Sequence, residues 1–194
     1  MRTIRGLESY PSEARPAVVA LGVFDGVHLA HRAILAKAVG SALDAGLAPV
    51  VCTFDPHPME VLQPARAPTP LSSLDERLDL IAATGVQATL VLTFTPELAA
   101  MEPEPFVTDV LIERLRAREV VVGFNHTFGR GARGDARLLR ALGDRQGFAT
   151  HVVEPLVVDG VPVSSSEIRG ALRGGAVERA ARYLGRPYAV AGEV

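Results

Sequence analysis

Pro16-Ala17-Val18-Val19-Ala20-Leu21-Gly22-Val23-Phe24-Asp25-Gly26-Val27-His28-Leu29-Ala30-His31 is the stretch whose reading decides the fold. Its first part, Pro16 to Phe24, is a short continuous apolar run rich in Val, the pattern of a parallel strand covered on both faces. A helical pattern follows from His28 to Ala45 and ends at Gly46, and a second apolar run spans Ala48 to Phe54. Strands joined through a helix rather than a tight turn lie parallel, because a parallel pair needs a long crossover.

Outward from this unit the alternation continues. Ser73-x-x-Glu76 is a capping box ahead of Leu74, Leu78 and Ile81. Val86 to Leu92 reads as a strand, Pro105 to Ala117 as a helix burying Phe106, Val110, Leu111 and Leu115, and Glu119 to Val122 as a strand. A helix over Asp135 to Asp144 and a fifth strand over Phe148 to Val153 complete the series. The expected fold class is α/β, a doubly wound parallel sheet. Five prolines between Asp55 and Pro70 (Pro56, Pro58, Pro64, Pro68, Pro70) argue against regular structure there. The last fifth differs: Val157 to Val163 reads as a hairpin on Asp159-Gly160. Short helices follow over Glu167 to Arg173 and Ala176 to Leu184, the second closed by Gly185. The tail, Arg186 to Val194, is strand-like and has no sheet of its own to join.

Composition narrows the function classes. Of 194 residues, 48% are hydrophobic and 22% charged, which excludes a disordered, fibrous or low-complexity chain. Twenty basic residues, nineteen of them Arg and one Lys37, face 22 acidic ones, a formal charge of -2. That balance carries no global footprint for nucleic acid, so any anion must be bound by a local site. The single Cys52 forms no internal disulfide and no cysteine zinc cluster, which suits a reducing compartment. The first residues have no apolar core before Glu8, so no signal peptide is expected. The longest uncharged stretch, Leu80 to Pro96, is shorter than the roughly 20 apolar residues of a membrane span. The expectation is a cytoplasmic protein with no membrane partner.

Ligands of open parallel sheets bind beyond the carboxyl ends of the strands. There Gly22-Val23-Phe24-Asp25-Gly26-Val27-His28-Leu29-Ala30-His31 sets two histidines three apart at a helix start, nearly on one face. A helix N-terminus offers free N–H groups and partial positive charge, a seat for phosphate, and imidazole N–H donors beside it add no permanent charge. Two other readings stand beside this one: polar surface residues at a helix start, and a zinc site recruiting His57 or Asp55. Ser164-Ser165-Ser166-Glu167-Ile168-Arg169 combines hydroxyls, helix-start amides and a guanidinium fork, equally a phosphate site or an N-cap followed by an exposed Arg. Gly123-Phe124-Asn125-His126-Thr127-Phe128-Gly129-Arg130-Gly131-Ala132-Arg133-Gly134, with Glu154 twenty residues later, contains Gly-x-Gly-x-x-Gly literally. It follows the fourth strand at a distance, so a ligand loop fits better than a dinucleotide site. Phe54-Asp55-Pro56-His57-Pro58 is a rigid turn after the second strand. Neither a Walker-type phosphate loop nor a Gly-x-Ser-x-Gly elbow occurs.

Together these four segments resemble the adenylyltransferase domain of prokaryotic FAD synthetases, which is usually fused to riboflavin kinase. Gly22 to His31 is similar to that family's Gly-x-Phe-Asp-Gly-x-His-x-Gly-His signature, and Phe54 to Pro58 to its Phe-x-Pro-His-Pro turn. Asn125, Phe128 and Gly129 match its Gly-x-Asn-Phe-x-Phe-Gly loop, and Ser164 to Arg169 its Ser-Ser-x-x-Ile-Arg element. Two positions depart: Ala30 replaces the Gly between the histidines, and His126 replaces an aromatic residue. The resemblance implies a Rossmann-like fold of the His-x-Gly-His nucleotidyltransferases. It also implies an adenylyltransferase domain over 1–185, with 186–194 the start of a kinase domain.

The reaction implied is ATP + FMN to FAD + pyrophosphate, Mg²⁺ accompanying ATP and no protein metal ligand being assigned. The resemblance puts His28, His31, Asn125 and Arg169 in the catalytic set. It gives ATP Gly22, Phe24, Asp25, Gly26, His28, His31, Ser165, Ser166 and Arg169, and FMN Phe54, Pro56, His57, Pro58, Asn125 and Phe128. The alternatives are the same fold acting on another phosphate acceptor, such as a pantetheine or nicotinamide nucleotide, and a non-catalytic nucleotide or flavin sensor.

Overall fold

All five residues of the strand Ala17–Leu21 are buried, and they alternate between two cores: Ala17, Val19 and Leu21 face one, Val18 and Ala20 the other. The structure, a computed structural model, describes residues 1–190. Its first half contains β1 (Arg2–Arg5), β2 (Ala17–Leu21), α1 (Leu29–Ala45), β3 (Ala48–Asp55), α2 (Pro58–Leu62), α3 (Leu74–Ala82) and β4 (Ala88–Thr93). Then come α4 (Pro96–Ala100), α5 (Pro103–Pro105), a π-helical stretch (Phe106–Arg114), β5 (Ala117–Gly123), β6 (Thr127–Phe128) and β7 (Gly134–Asp135). The rest is α6 (Ala136–Gln146), β8 (Ala149–Val153), β9 (Val157–Val158), β10 (Val161–Pro162), α7 (Ser165–Arg173) and α8 (Val177–Leu184).

Six strands form one sheet in the order β1-β4-β3-β2-β5-β8, and every pairing is parallel. Ile34, Leu35, Ala38 and Ala42 of α1, with Ile81 of α3, cover one face. The other is covered by Phe106, Val107, Val110 and Leu111 of the π-helical stretch, with Leu139 and Leu142 of α6. This is the doubly wound arrangement the alternation predicts. Leu35 is fully buried, and truncating such a side chain to Ala costs about 2–5 kcal/mol. A third cluster (Leu71, Val163, Ile168, Ala171, Ala180, Tyr183, Leu184) binds α7 and α8 to the segment ahead of α3.

Several expectations are corrected. The sheet has a sixth strand: in β1 only Ile4 is buried, so an edge strand of mostly polar and charged residues shows no apolar run. The proline-rich segment contains α2, because Pro58 occupies the first helical turn, where a missing N–H costs nothing. The helix read over Pro105 to Ala117 is α5 running into the π-helical stretch, with Leu115 N–H bonded to Val110 O at 3.0 Å, and Ala117 already opens β5. Helix α4 had no expected counterpart. Residues 186–190 form no strand, and the rest of the strand-like tail lies outside the described residues.

Candidate active site

From β2 the chain steps to β3 and β4 on one side, then returns to place β5 on the other. That reversal opens a crevice beyond the carboxyl ends of β2 and β5, where α/β sheets hold ligands. A cleft of about 770 Å³ lies there, lined among others by Gly22, Phe24, His28, Ala30, His31, His57, Asn125, Ser166 and Arg169.

The loop between β2 and α1 is held in an uncommon backbone shape. Phe24 (φ 55°), Gly26 (φ 76°) and Val27 (φ 37°) all lie in the left-handed region. For a β-branched residue such as Val27 that conformation costs on the order of 1–3 kcal/mol and persists only where the surroundings over-determine it. Gly26 is also required for space, since an added Cβ would sit 2.9 Å from Leu71 Cβ. The surroundings are a set of donors that engages five consecutive carbonyls. Val23 O accepts from Thr53 Oγ1 (2.9 Å) and Arg77 Nη1 (3.0 Å), and Phe24 O from Val27 N–H (3.0 Å). Asp25 O accepts from the Ser165 hydroxyl (3.1 Å), Gly26 O from Arg186 Nη2 (2.9 Å) and Val27 O from Arg186 Nη1 (3.5 Å). Carbonyl oxygens bound to protein donors are not left to repel an anion.

His28 is the N-cap of α1: its Nδ1 accepts the His31 N–H at 3.3 Å. An accepting Nδ1 assigns the proton of the neutral ring to Nε2, which becomes a donor. Burial, and then the charges of Arg169 and Arg186, lower the His28 pKa to about 4. Burial, His28 and Arg77 hold His31 well below the ordinary histidine range. The two rings stack with centroids 3.5 Å apart, a contact two neutral imidazoles tolerate, and Phe24 packs edge-on against His31. The amides of Leu29 and Ala30, in the first turn, have no intrahelical partner and remain for a ligand.

The second phosphate candidate is wired into the same loop. The buried Asp25 carboxylate accepts Leu71 N–H (2.9 and 3.1 Å) and Ser72 N–H (3.3 Å), and pairs with Arg169 Nη2. Arg169 Nε donates to Thr69 O at 2.7 Å, so two of its three nitrogens are engaged. Asp25 and Ser165, expected beside ATP, line the cleft and at the same time bind the protein's own backbone, and Gly26 makes its backbone contacts with Ser72 and Arg186. Ser166 lines the cleft in the first turn of α7, which Ser164 caps through Glu167 N–H.

On the other side of β2, the turn after β3 contains a cis Asp55–Pro56 bond. His57 caps α2, its Nδ1 accepting Met59 N–H at 3.1 Å, and burial lowers its pKa. Of the residues expected around FMN, His57 and Asn125 line the cleft. The rings of Phe54 and Phe128 stand behind it in the core, against Phe94 and Phe106, while Pro56 and Pro58 shape the turn. His126 stacks on Phe128 with centroids 6.0 Å apart, and burial brings its pKa to about 4. The glycine-rich segment leads into α6 from the short β6–β7 pair and not directly from a strand of the parallel sheet, as a dinucleotide loop would. Gly129 packs against Pro103, and Arg130 and Arg133 pair with Glu102 at 3.3 and 3.4 Å.

Arg77 and Arg186 escaped the sequence reading. Arg77 shares the buried face of α3 with Ile81, and a charged residue on an apolar helix face was the available signal. The zinc alternative is not assembled, since among the described residues no group of three or more His, Cys, Asp or Glu is placed to hold a metal ion.

A parallel sheet with a capped helix start and two neutral histidines at its switch point defines a Rossmann-like protein of the nucleotidyltransferase type. A pantoate-β-alanine ligase from Francisella tularensis shares that fold at 12% identity, with a TM-score of 0.55, covering 95% of this chain and 85% of its own. A profile of the family described as FAD synthetase matches residues 10–167, and the chain belongs to that family. Bifunctional riboflavin kinase/FMN adenylyltransferases of Pseudomonas fluorescens and Escherichia coli K12 are 35% and 34% identical over all 194 residues. The chain spans 62% and 61% of their lengths. A Streptococcus pneumoniae structure described as a macrolide-efflux protein is 27% identical with a TM-score of 0.83, covering 97% of this chain and 61% of that one. Among the described residues, no helix is long and apolar enough to cross a membrane.

Proposed function

We propose that the chain transfers AMP from ATP to FMN, giving FAD and pyrophosphate. The observation that carries this reading is the stacked, neutral His28–His31 pair at the start of α1, beside a loop whose carbonyls are all engaged. Family membership supplies the substrates. A phosphate oxygen of FMN attacks the α-phosphorus of ATP, the bond to the β-phosphate oxygen breaks, and pyrophosphate leaves in line. The attacking oxygen is already ionised at neutral pH, so no general base is needed. With the His28 pKa lowered to about 4 and His31 held well below the ordinary histidine range, both would in any case be poor bases. Catalysis then rests on alignment and on donors aimed at developing charge.

In this reading His28 Nε2–H, His31 and the first amides of α1 receive the ATP phosphates, and Ser166 with Arg169 receives the end that leaves. His57 and Asn125 face FMN. Mg²⁺ comes as part of the nucleotide substrate, on phosphate oxygens and water. That fits a site in which Asp25, a carboxylate lining the cleft, is already paired with Arg169. The domain limits read from the sequence, 1–185 with a second domain beginning at 186, are kept with this proposal.

The test is pyrophosphate release from ATP and Mg²⁺ with FMN, riboflavin and a panel of other phosphate acceptors. FMN alone should give pyrophosphate with matching FAD. Riboflavin should give no FMN, because its attacking hydroxyl needs a base. Turnover with another acceptor instead, or binding without turnover, would overturn the proposal.

A further inference from the structure

Arg77 lies outside both candidate substrate subsites, yet it touches the framework of each. From α3 its guanidinium reaches the carboxyl ends of two neighbouring strands. Nη1 donates to Val23 O, one residue before the left-handed turn that leads to His28, and Nη2 donates to Phe54 O at 3.0 Å, where the acceptor turn begins. Its side chain is 6% exposed, and Asp55 lies 3.8 Å from Nη2. Nε is buried without a hydrogen-bond partner among the described residues. Burying an Arg with one donor unpaired is unfavourable, and an apolar residue would pack the same face of α3 without that loss. The geometry shows what the apolar residue could not do. The planar fork presents two donors in fixed relation, so Val23 O and Phe54 O are held to one rigid group rather than braced separately.

The segment ahead of α3 strengthens that coupling. Asp25 holds the Leu71 and Ser72 amides, and Ser72 Oγ accepts Gly26 N–H at 3.1 Å, so α3 is tied to the nucleotide loop at both its leader and Arg77. Thr53 Oγ1 donates to the same Val23 carbonyl from β3. Beyond the last paired residues of β2 and β3, one helix thus helps set the separation between the loop that would hold the ATP phosphates and the turn that would hold FMN. In an in-line transfer without a base, that separation is the quantity catalysis depends on.

We propose that Arg77 is a positioning residue that fixes the spacing of the nucleotide loop and the acceptor turn, and so governs turnover without binding either substrate. The inference rests on the adenylyl-transfer reading above. It is tested with Arg77→Met and Arg77→Lys beside the parent chain. For each, kcat and both KM values for FAD formation are measured at a temperature where melting curves show the protein folded, along with direct binding of ATP and of FMN.

Misplacing reacting groups by about 1 Å costs on the order of 10²-fold, so Arg77→Met should lose about 10- to 100-fold in kcat. Both substrates should bind within about threefold of the parent, against a misalignment loss far larger. Arg77→Lys, with the charge kept and the fork lost, should fall between them. If Arg77→Met does not fold, Arg77→Lys carries the test through the same split between kcat and KM. A folded variant with kcat within twofold of the parent, or a loss confined to one KM, overturns the inference while the parent's activity leaves adenylyl transfer standing. A parent that makes no FAD overturns both.

Discussion

The two sides of the cleft are built differently. On the nucleotide side, the loop from β2 to α1 has carbonyls 23–27 all hydrogen-bonded, a buried Asp25–Arg169 pair and a capped helix start. On the acceptor side, Asn125 is exposed and Phe124 is 49% exposed, on a loop joined to the body by few bonds beyond Phe124 N–H to Val153 O and His126 N–H to Gly123 O. The contrast follows from the chemistry proposed. Donors that stabilise charge on transferring phosphates must be in place before reaction, because reorganising them during it costs activation energy. On the acceptor side the turn after β3 is held through Arg77, while the Asn125 loop needs only to seat a nucleophile that arrives ionised.

The contrast breaks most visibly at Arg169. Arg169→Ala should cost about 3–5 kcal/mol of stability, since it leaves the Asp25 charge buried and unpaired. It should also lower kcat by roughly 10²–10³ through loss of a preorganised donor. Melting curves and initial rates check the two separately. The double variant Asp25→Asn/Arg169→Leu should recover much of the stability and none of the rate. Recovery of both would reduce the pair to a structural brace.

Acid should act next most strongly. The unfolded chain protonates histidine near pH 6.5, whereas His28 and His126 stay neutral in the fold down to about pH 4, and His31 is also depressed. The unfolded state binds more protons across that window. Stability is therefore full above pH 6.5 and is lost as pH falls toward 4, by on the order of 2–3 kcal/mol for each of His28 and His126. Melting temperatures flat from pH 7 to 4.5 would contradict the neutral assignments.

A smaller, one-sided effect is expected across the cleft. Asn125→Ala, at an exposed position, should change stability by no more than about 0.5 kcal/mol. It should raise KM for FMN while leaving ATP binding alone; weaker ATP binding instead would move Asn125 to the nucleotide side.

The smallest effect on substrate binding is reserved for Ala30, which lines the cleft in the first turn of α1. Ala30→Gly should cost about 0.5–1 kcal/mol as helix propensity is lost. ATP should bind modestly tighter and FMN unchanged. Unchanged ATP affinity would show the methyl already accommodated.

What could be read from the sequence follows the same division. The Val-rich β2, the capping box at Ser73 and the helix end at Gly46 are local signals, and they carried the sheet and most helices. The His28–His31 pair was legible as a pair, but not its stacking, which depends on His28 standing outside the helix as its cap. Edge strand β1 was hidden because one buried Ile4 among exposed neighbours makes no pattern. The resemblance sets Asp25 and Ser165 beside ATP; that they also hold backbone 46 and 140 residues away is a tertiary fact. Arg186 was invisible for the same reason, since a guanidinium bound to distant carbonyls leaves no spacing to find, and Arg77 showed only as a charge on the apolar face of α3.

In the proposed reaction two neutral histidines form the phosphate seat. Imidazole NMR titration of His28 and His31, from pH 8 to 5 with and without ATP, tests it most directly. Both rings should remain neutral throughout, with His28 protonated at Nε2 and its Nε2–H resonance shifting on addition of ATP but not of FMN. A titration midpoint near 6.5, or a resonance that responds to FMN and ignores ATP, would contradict the account.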